Sequence, residues 1–260
     1  MLFLMFSIAF SKVYYSKIEP YEIRNISSNI SGLVLYIQED MIGKKLTDKA
    51  YIRIDSELDE KELKFIEDKL GYLGEMLVAN EDVLINLDRS LYKKQENYNK
   101  IKFLKIKSVV EKDNSFYDLV ATENQLLSTQ KDIQNLKVQI SDLNLRMAQL
   151  KRSVSDKYVT ADGFELYSIL VKPGQVVGIS TPLAQVADTS KAKLTIYLDE
   201  EDALNAQSQI IYIDGKKTQY KISRLLNIAD SKNISKYMAQ IIIKSPKLFS
   251  KLAKIELKSE

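Results

Sequence analysis

Between residues 57 and 154 apolar side chains recur at alternating spacings of three and four. The first half carries Leu63, Ile66, Leu70, Leu73, Leu77, Asn80, Leu84, Leu87, Leu91, Lys94, Tyr98, Ile101 and Lys105 at this spacing. The second half carries Leu119, Thr122, Leu126, Thr129, Ile133, Leu136, Ile140, Leu143, Met147 and Leu150. Charged and amide residues fill the other positions, so each half reads as a long helix with one heptad seam. A helix must bury such a stripe, and the nearest partner is the other arm folded back antiparallel. The bend is expected around residues 105 to 113, where Ser108-Val109-Val110 interrupts the heptads and Asp113 or Ser115 can cap the second helix. Arms of roughly 40 to 50 residues, at about 1.5 Å per residue, reach about 60 to 75 Å. Polar Asn80 and Lys94 in the first seam are candidates for setting its register.

The flanking segments alternate with a period of two. The stretch from Ser31, SGLVLYIQEDMIGKKLTDKAYIRID, overlays the stretch from Asp162, DGFELYSILVKPGQVVGISTPLAQVAD, at a constant offset of 131 with no gap. Gly32 meets Gly163, Leu35 meets Leu166, Tyr36 meets Tyr167, Gly43 meets Gly174, Leu46 meets Val177 and Ile52 meets Leu183. Each copy reads as a strand, a glycine-bearing turn and further short strands, with Leu33, Leu35 and Ile37 on one half-buried face. Gly32, Gly43, Gly163 and Gly174 are the turn glycines of this repeat. Beyond residue 190, short β-rich runs (193–198, 209–213, 218–225, 237–243 and 253–257) and a possible short helix at 199–206 predict a small β-barrel.

Composition narrows the chemistry. The chain has 260 residues, no His, no Cys and no Trp, with only eight Gly and four Pro. A His-based triad, a thiolate nucleophile, an ordinary zinc site and an iron–sulfur cluster are thereby excluded. A net charge of +3 is too small to argue for nucleic-acid binding. Met1 to Phe10, MLFLMFSIAF, is an apolar run too short to span a bilayer as a helix of roughly 20 residues. It suits the apolar region of an export signal, with Ala9 and Ser11 as the small residues before cleavage, although no Lys or Arg precedes it. A short retained anchor and a buried N-terminal strand or helix are the other readings.

The order half-repeat, helical hairpin, half-repeat and small barrel resembles the periplasmic adaptor proteins, also called membrane fusion proteins or the HlyD family. The resemblance covers residues 20 to 260 and rests most on SGLVLYI with Gly43, and on DGFELYSILVKPGQVVGISTPLAQVAD with the following KLTIYLDEED. It implies an elongated α+β fold: a split biotinyl/lipoyl-like β domain, interrupted by a long antiparallel coiled-coil hairpin and followed by a small β-barrel. The boundaries expected are a signal-like segment at 1–11, the first lipoyl half at 20–56, the hairpin at 57–154, the second half at 155–190 and the barrel at 191–260.

By the same resemblance the chain is expected in the periplasm, associated with the inner membrane. Its partners would be an inner-membrane transporter, a trimeric outer-membrane channel of the TolC type, and further copies of itself, usually six. The family's channel-docking Arg, Leu and Ser at the hairpin tip fall on Lys102, Ile106 and Asp113, none of them identical; Lys112 or Glu111 takes the last place if the turn length differs. Independently, Lys93, Lys94, Lys100, Lys102, Lys105, Lys107 and Lys112 face only Glu96 and Glu111 near the bend. A basic tip steers onto an acidic surface and does so less at high salt. The chain ends directly after the expected barrel, leaving nothing for a membrane-proximal domain.

Such an adaptor needs no catalytic residue, cofactor or metal. Two other classes fit less of the sequence. A biotinyl or lipoyl carrier would need a modified turn lysine, and Lys44 and Lys45 lie near a turn without a Met-Lys-Met or Asp-Lys-Ala signature. A structural coiled-coil tether or chaperone-like protein, such as a prefoldin relative, has no need of matched β-halves at its root.

Overall fold

The computed structural model describes residues 12–229, 233 and 235–258. The signal-like segment, with Ala9 and Ser11, therefore lies outside the described residues. In chain order the elements are β1 (Val13–Lys17), β2 (Glu19–Ser27), β3 (Gly32–Ile37), β4 (Ile52–Ile54), α1 (Glu57–Ile101), α2 (Val109–Asp156), β5 (Tyr158–Val159), β6 (Glu165–Ile169), β7 (Val176–Val177), β8 (Pro182–Leu198), α3 (Glu200–Asn205), β9 (Ile210–Ile213), β10 (Lys216–Lys217), β11 (Ile222–Ala229), β12 (Tyr237–Lys244) and β13 (Leu252–Lys258). They form two units: a helical one from Asp55 to Lys157, and a β unit made of the chain on either side of it.

In the helical unit the heptad residues form the seam between the arms. Leu119, Thr122, Leu126, Thr129, Ile133, Leu136 and Leu150 of α2 are buried, as are Ile66 and Leu73 of α1. The two threonines are admissible there because each hydroxyl donates to a carbonyl of its own helix: Thr122 to Asp118 and Thr129 to Gln125, both at 3.0 Å. Lys94 crosses the seam, its Nζ donating to Thr122 Oγ1 at 2.9 Å, and so fixes register; Asn80 only bonds back to Met76 of its own helix. At the root, Asp59 accepts from Ser153 Oγ at 2.6 Å and pairs with the buried Lys157 at 3.0 Å. Burial raises the Asp59 pKa, but the bonds from Ser153 and Lys157 outweigh it and hold the carboxyl below its usual value.

The bend departs from expectation. Helix α1 ends earlier, and α2 is capped neither by Asp113 nor by Ser115. Ser108 is the N-cap: its Oγ accepts from the Glu111 backbone N–H, and the Glu111 carboxylate accepts from the Ser108 N–H. This is a Ser-x-x-Glu capping box. The β-branched Val109-Val110 that looked like an interruption is the first turn of the helix.

The β unit holds two cores. The first gathers Val34, Ile37, Leu46, Tyr51, Ile52 and Ile54 from before the hairpin with Val159, Leu166, Val171, Val177, Leu183, Ala184 and Val186 from after it. The second gathers Ile18, Ala192, Leu194, Ile196, Leu198, Ala206, Ile211, Ala239, Ile241, Ala253, Ile255 and Leu257. Strand β8 supplies both, up to Val186 for one and from Ala192 for the other. Strand β2 pairs along it from Ser27↔Pro182 to Glu19↔Lys193. Strand β1, which the hydropathy pattern does not show, pairs with β13 and joins the sheet of the second core. It turns Val13 and Tyr15 outward and Ser16 inward, where the Ser16 Oγ accepts from the Thr195 N–H at 2.8 Å.

The two half-repeats are interlocked, and their equivalence differs from the gapless overlay. Gly43 N–H donates to Leu166 O (2.8 Å) and Leu166 N–H to Lys44 O (3.0 Å), while Gly174 N–H donates to Val34 O (2.8 Å) and Val34 N–H to Gln175 O (2.9 Å). Val34 thus corresponds to Leu166, and Gly43 to Gly174. The offset is 132 on the strands and 131 at the turns. Both strands carry a bulge at the same point, after Val34 and after Leu166. A one-residue slip in a strand exchanges its faces, so the overlay set the exposed Leu35 against the fully buried Leu166. The bulge also breaks the expected alternation: Val34 and Ile37 face the core, and Leu33 and Leu35 face solvent.

Candidate docking surfaces

Among the described residues there is no cluster of acidic, His or Cys side chains suited to a metal, and no helix long and apolar enough to cross a membrane. Gly43 and Gly174 sit at φ of 78° and 85°, a left-handed conformation a Cβ disfavours, and this lets each turn aim its N–H at the other half. Gly163 also has positive φ, at 83°, whereas Gly32 lies within β3 opposite Val177. Lys44 is tied into the exchange through its carbonyl, and Lys45 bridges Glu165. Neither lysine stands at the tip of a free turn.

The loop between the helical arms is Lys102 to Ser108. Lys102 is the C-cap of α1, and its N–H donates to Tyr98 O at 3.0 Å. Its ammonium donates to Asn99 Oδ1 at 2.8 Å and lies 5.0 Å from the centre of the Phe103 ring. Ile106 is 88% exposed, the most open large apolar residue described, and Phe103, Leu104, Val109 and Val110 are exposed beside it. Asp113 is exposed on α2, past the capping box, and Glu111 is held in place. Lys107 pairs with Glu111 at 2.9 Å, and that bond, with those from the Ser108 N–H and hydroxyl, lowers the Glu111 pKa to about 2. Counting lysines finds the charge of this loop but misses its apolar part, which the sequence carries as Phe103-Leu104 between Lys102 and Lys105. Apolar side chains ringed by flexible cations are the composition of a contact surface.

In the β unit, Lys12 pairs with Asp199 at 3.4 Å and Asp202 at 3.7 Å, Tyr14 donates to Asp202, and Lys236 pairs with Asp199 at 3.5 Å. The residue that follows the signal-like segment is therefore tied down beside α3.

No protein-family model matches the sequence, and no curated protein matches it. Solved structures do match. MacA from Actinobacillus actinomycetemcomitans superposes with a TM-score of 0.66 at 17% identity, over 95% of this chain and 78% of that one. The membrane fusion protein Spr0693 from Streptococcus pneumoniae gives 0.56 at 13% identity, over 96% of this chain and 100% of that one. A MacA-MexA chimera carrying the Pseudomonas aeruginosa MexA α-hairpin gives 0.55 at 16% identity, over 96% and 82%. A hairpin between two halves of a lipoyl-like sheet, with a half-barrel sharing the β unit, is the arrangement these structures have in common with this chain: it has the fold of the membrane fusion proteins.

Proposed function

We propose that the chain is a non-catalytic periplasmic adaptor that joins an inner-membrane transporter to a trimeric outer-membrane channel of the TolC type, several copies forming a ring whose hairpins enclose an export path. What carries the reading is the hairpin tip. A long two-helix arm ends in Lys102, Phe103, Leu104, Lys105 and Ile106, a loop with no fold of its own to stabilise and a composition suited to docking. An export signal or short anchor at residues 1–11 belongs to this reading; Lys12, the next residue, pairs with Asp199 and Asp202. The interlocked glycine turns serve to hold the two halves together rather than to present a prosthetic group.

The test is photo-crosslinking from Lys102, Ile106 and Asp113 in the full chain, expressed with its neighbouring transporter and channel. Crosslinks from Ile106 and Lys102 to the channel, weakening as salt rises, are expected. A chain that crosslinks to no channel and remains monomeric overturns the reading. So does intact mass showing a group carried on Lys44 or Lys45.

A further inference from the structure

The outer face of the sheet β11-β12-β8-β2 breaks a rule of strand pairing. Lys191 of β8 stands directly opposite Lys244 of β12, and both are exposed. Like charges placed in that way repel and destabilise a sheet. Lys193 follows two residues on, on the same face and opposite Ile242. A fourth cation reaches this face through a distortion. Ile222 of β11 pairs with the buried Ile241 and packs inward, so in a regular strand Arg224, two residues later, would turn inward as well. A bulge between the two sets Arg224 opposite Gln240 instead, on the outer face.

These cations are not matched by the protein itself. Among the described residues none of Lys191, Lys193, Arg224 and Lys244 is ion-paired. The neighbouring carboxylates are engaged elsewhere, Glu22 by Arg24 at 2.7 Å and Asp188 by the Ser190 N–H at 2.9 Å, which leaves Glu19, opposite Lys193, as the acid on this face. Two adjoining hollows lie over the four cations. One, of about 420 Å³, is lined by Lys193, Arg224, Ser223, Gln240 and Tyr21, and the other, of about 380 Å³, by Lys191, Lys244, Ser190 and Tyr220. Ile242 is common to both. The Tyr220 hydroxyl accepts from the Lys244 N–H at 3.2 Å, which fixes one wall.

At about 3.3 Å per residue and 4.8 Å per strand, Lys191 and Lys193 stand about 7 Å apart and β11 lies about 10 Å across from β8. A single carboxylate cannot meet cations spread over that distance. Phosphate groups can, because each carries up to about two charges and offers several acceptor oxygens to ammonium and guanidinium donors. We infer that the two hollows form a binding site for a ligand with two or more phosphate groups, which bridges the Lys191 and Lys244 pair to Lys193 and Arg224. The inference does not use the adaptor reading. Strand β11 is the edge of its sheet, held by β12 alone. A ligand seated here ties that edge to β8.

The probe is tripolyphosphate, titrated into the full chain at low salt and followed by calorimetry and thermal unfolding. Saturable binding and a raised melting temperature are expected. Lys191→Gln with Lys244→Gln, and separately Arg224→Gln, should weaken binding by about tenfold or more. Lys69→Gln with Lys131→Gln, which removes equal charge from exposed positions of the helical unit, should change it by less than about twofold. Lys244→Thr should raise the melting temperature of the free protein by about 1–3 °C, because the repulsion is gone, and abolish the further rise with tripolyphosphate. Sedimentation with phosphatidylcholine vesicles, with and without phosphatidylglycerol, distinguishes the source of the phosphates. A gain from phosphatidylglycerol that the same variants lose assigns them to lipid headgroups; tripolyphosphate binding without that gain assigns them to a free phosphate compound. No binding of either probe, equal weakening by the Lys69 and Lys131 changes, or equally tight binding of polyglutamate overturns the inference.

Discussion

Asp59→Ala should destabilise the helical unit more than any other single polar substitution at the hairpin root. The carboxylate accepts from Ser153 at 2.6 Å and faces the Lys157 ammonium at 3.0 Å, with side chains only 22% and 10% exposed. Removing one member of a fully buried ion pair costs about 3–5 kcal/mol, because the other charge is left uncompensated. Water reaches part of Asp59, so about 2–3 kcal/mol is expected here. Urea unfolding followed at 222 nm, where α1 and α2 dominate, measures it. Replacing both partners, Asp59→Leu with Lys157→Met, should recover most of the loss, because no orphan charge remains. The pH dependence has a definite sign. Asp59 is depressed below its ordinary value of 3.8, so its contribution is present above that value and is lost as pH falls through the lower folded value. A loss below about 0.5 kcal/mol for Asp59→Ala, or a double variant as unstable as the single one, would refute the reasoning.

Two further substitutions test local structure. Ser180 is held at φ of 68°, a left-handed conformation unfavourable to a side chain, with its N–H donating to Ser28 O at 2.6 Å; Ser180→Gly should therefore stabilise the β unit by about 0.5–1 kcal/mol in thermal unfolding, after the entropy glycine adds to the unfolded chain. Ser108→Ala removes the cap of α2 and should cost about 1 kcal/mol. Because the Glu111 pKa is lowered from 4.5 to about 2, its half of the capping box persists at pH 4 and fails only as pH approaches 2, which amide exchange at Ser108, whose N–H the carboxylate accepts, reads directly.

The hairpin was legible because leucine at alternating three and four has one physical meaning, and the arms bury or half-bury the positions that spacing marks, save Lys105, which lies exposed beyond the end of α1. The small barrel was legible only in pieces. Strand β1 escaped because Val13 and Tyr15 face outward while Ser16, beside Tyr14 on the inward face, bonds a backbone amide, so the alternation is misleading. Strand β8 read as two elements because Ser190 and Lys191 look like a break, yet they lie in a ladder that continues to both sides. The repeat was visible through its glycines, but its register was not: a bulge shifts the buried face by one residue, and shared Leu and Tyr identities favoured the wrong offset. The apolar half of the tip, Phe103 and Leu104, was hidden by the lysines around it.

The shared strand has a mechanical consequence. At about 3.3 Å per residue, the 17 residues of β8 run for roughly 55 Å, with β2 hydrogen-bonded along both the part that serves the first core and the start of the part that serves the second. A load that opens either core must shear that common ladder. The β unit is thereby expected to yield to force as one body, with a single rupture, although it contains two separate apolar interiors.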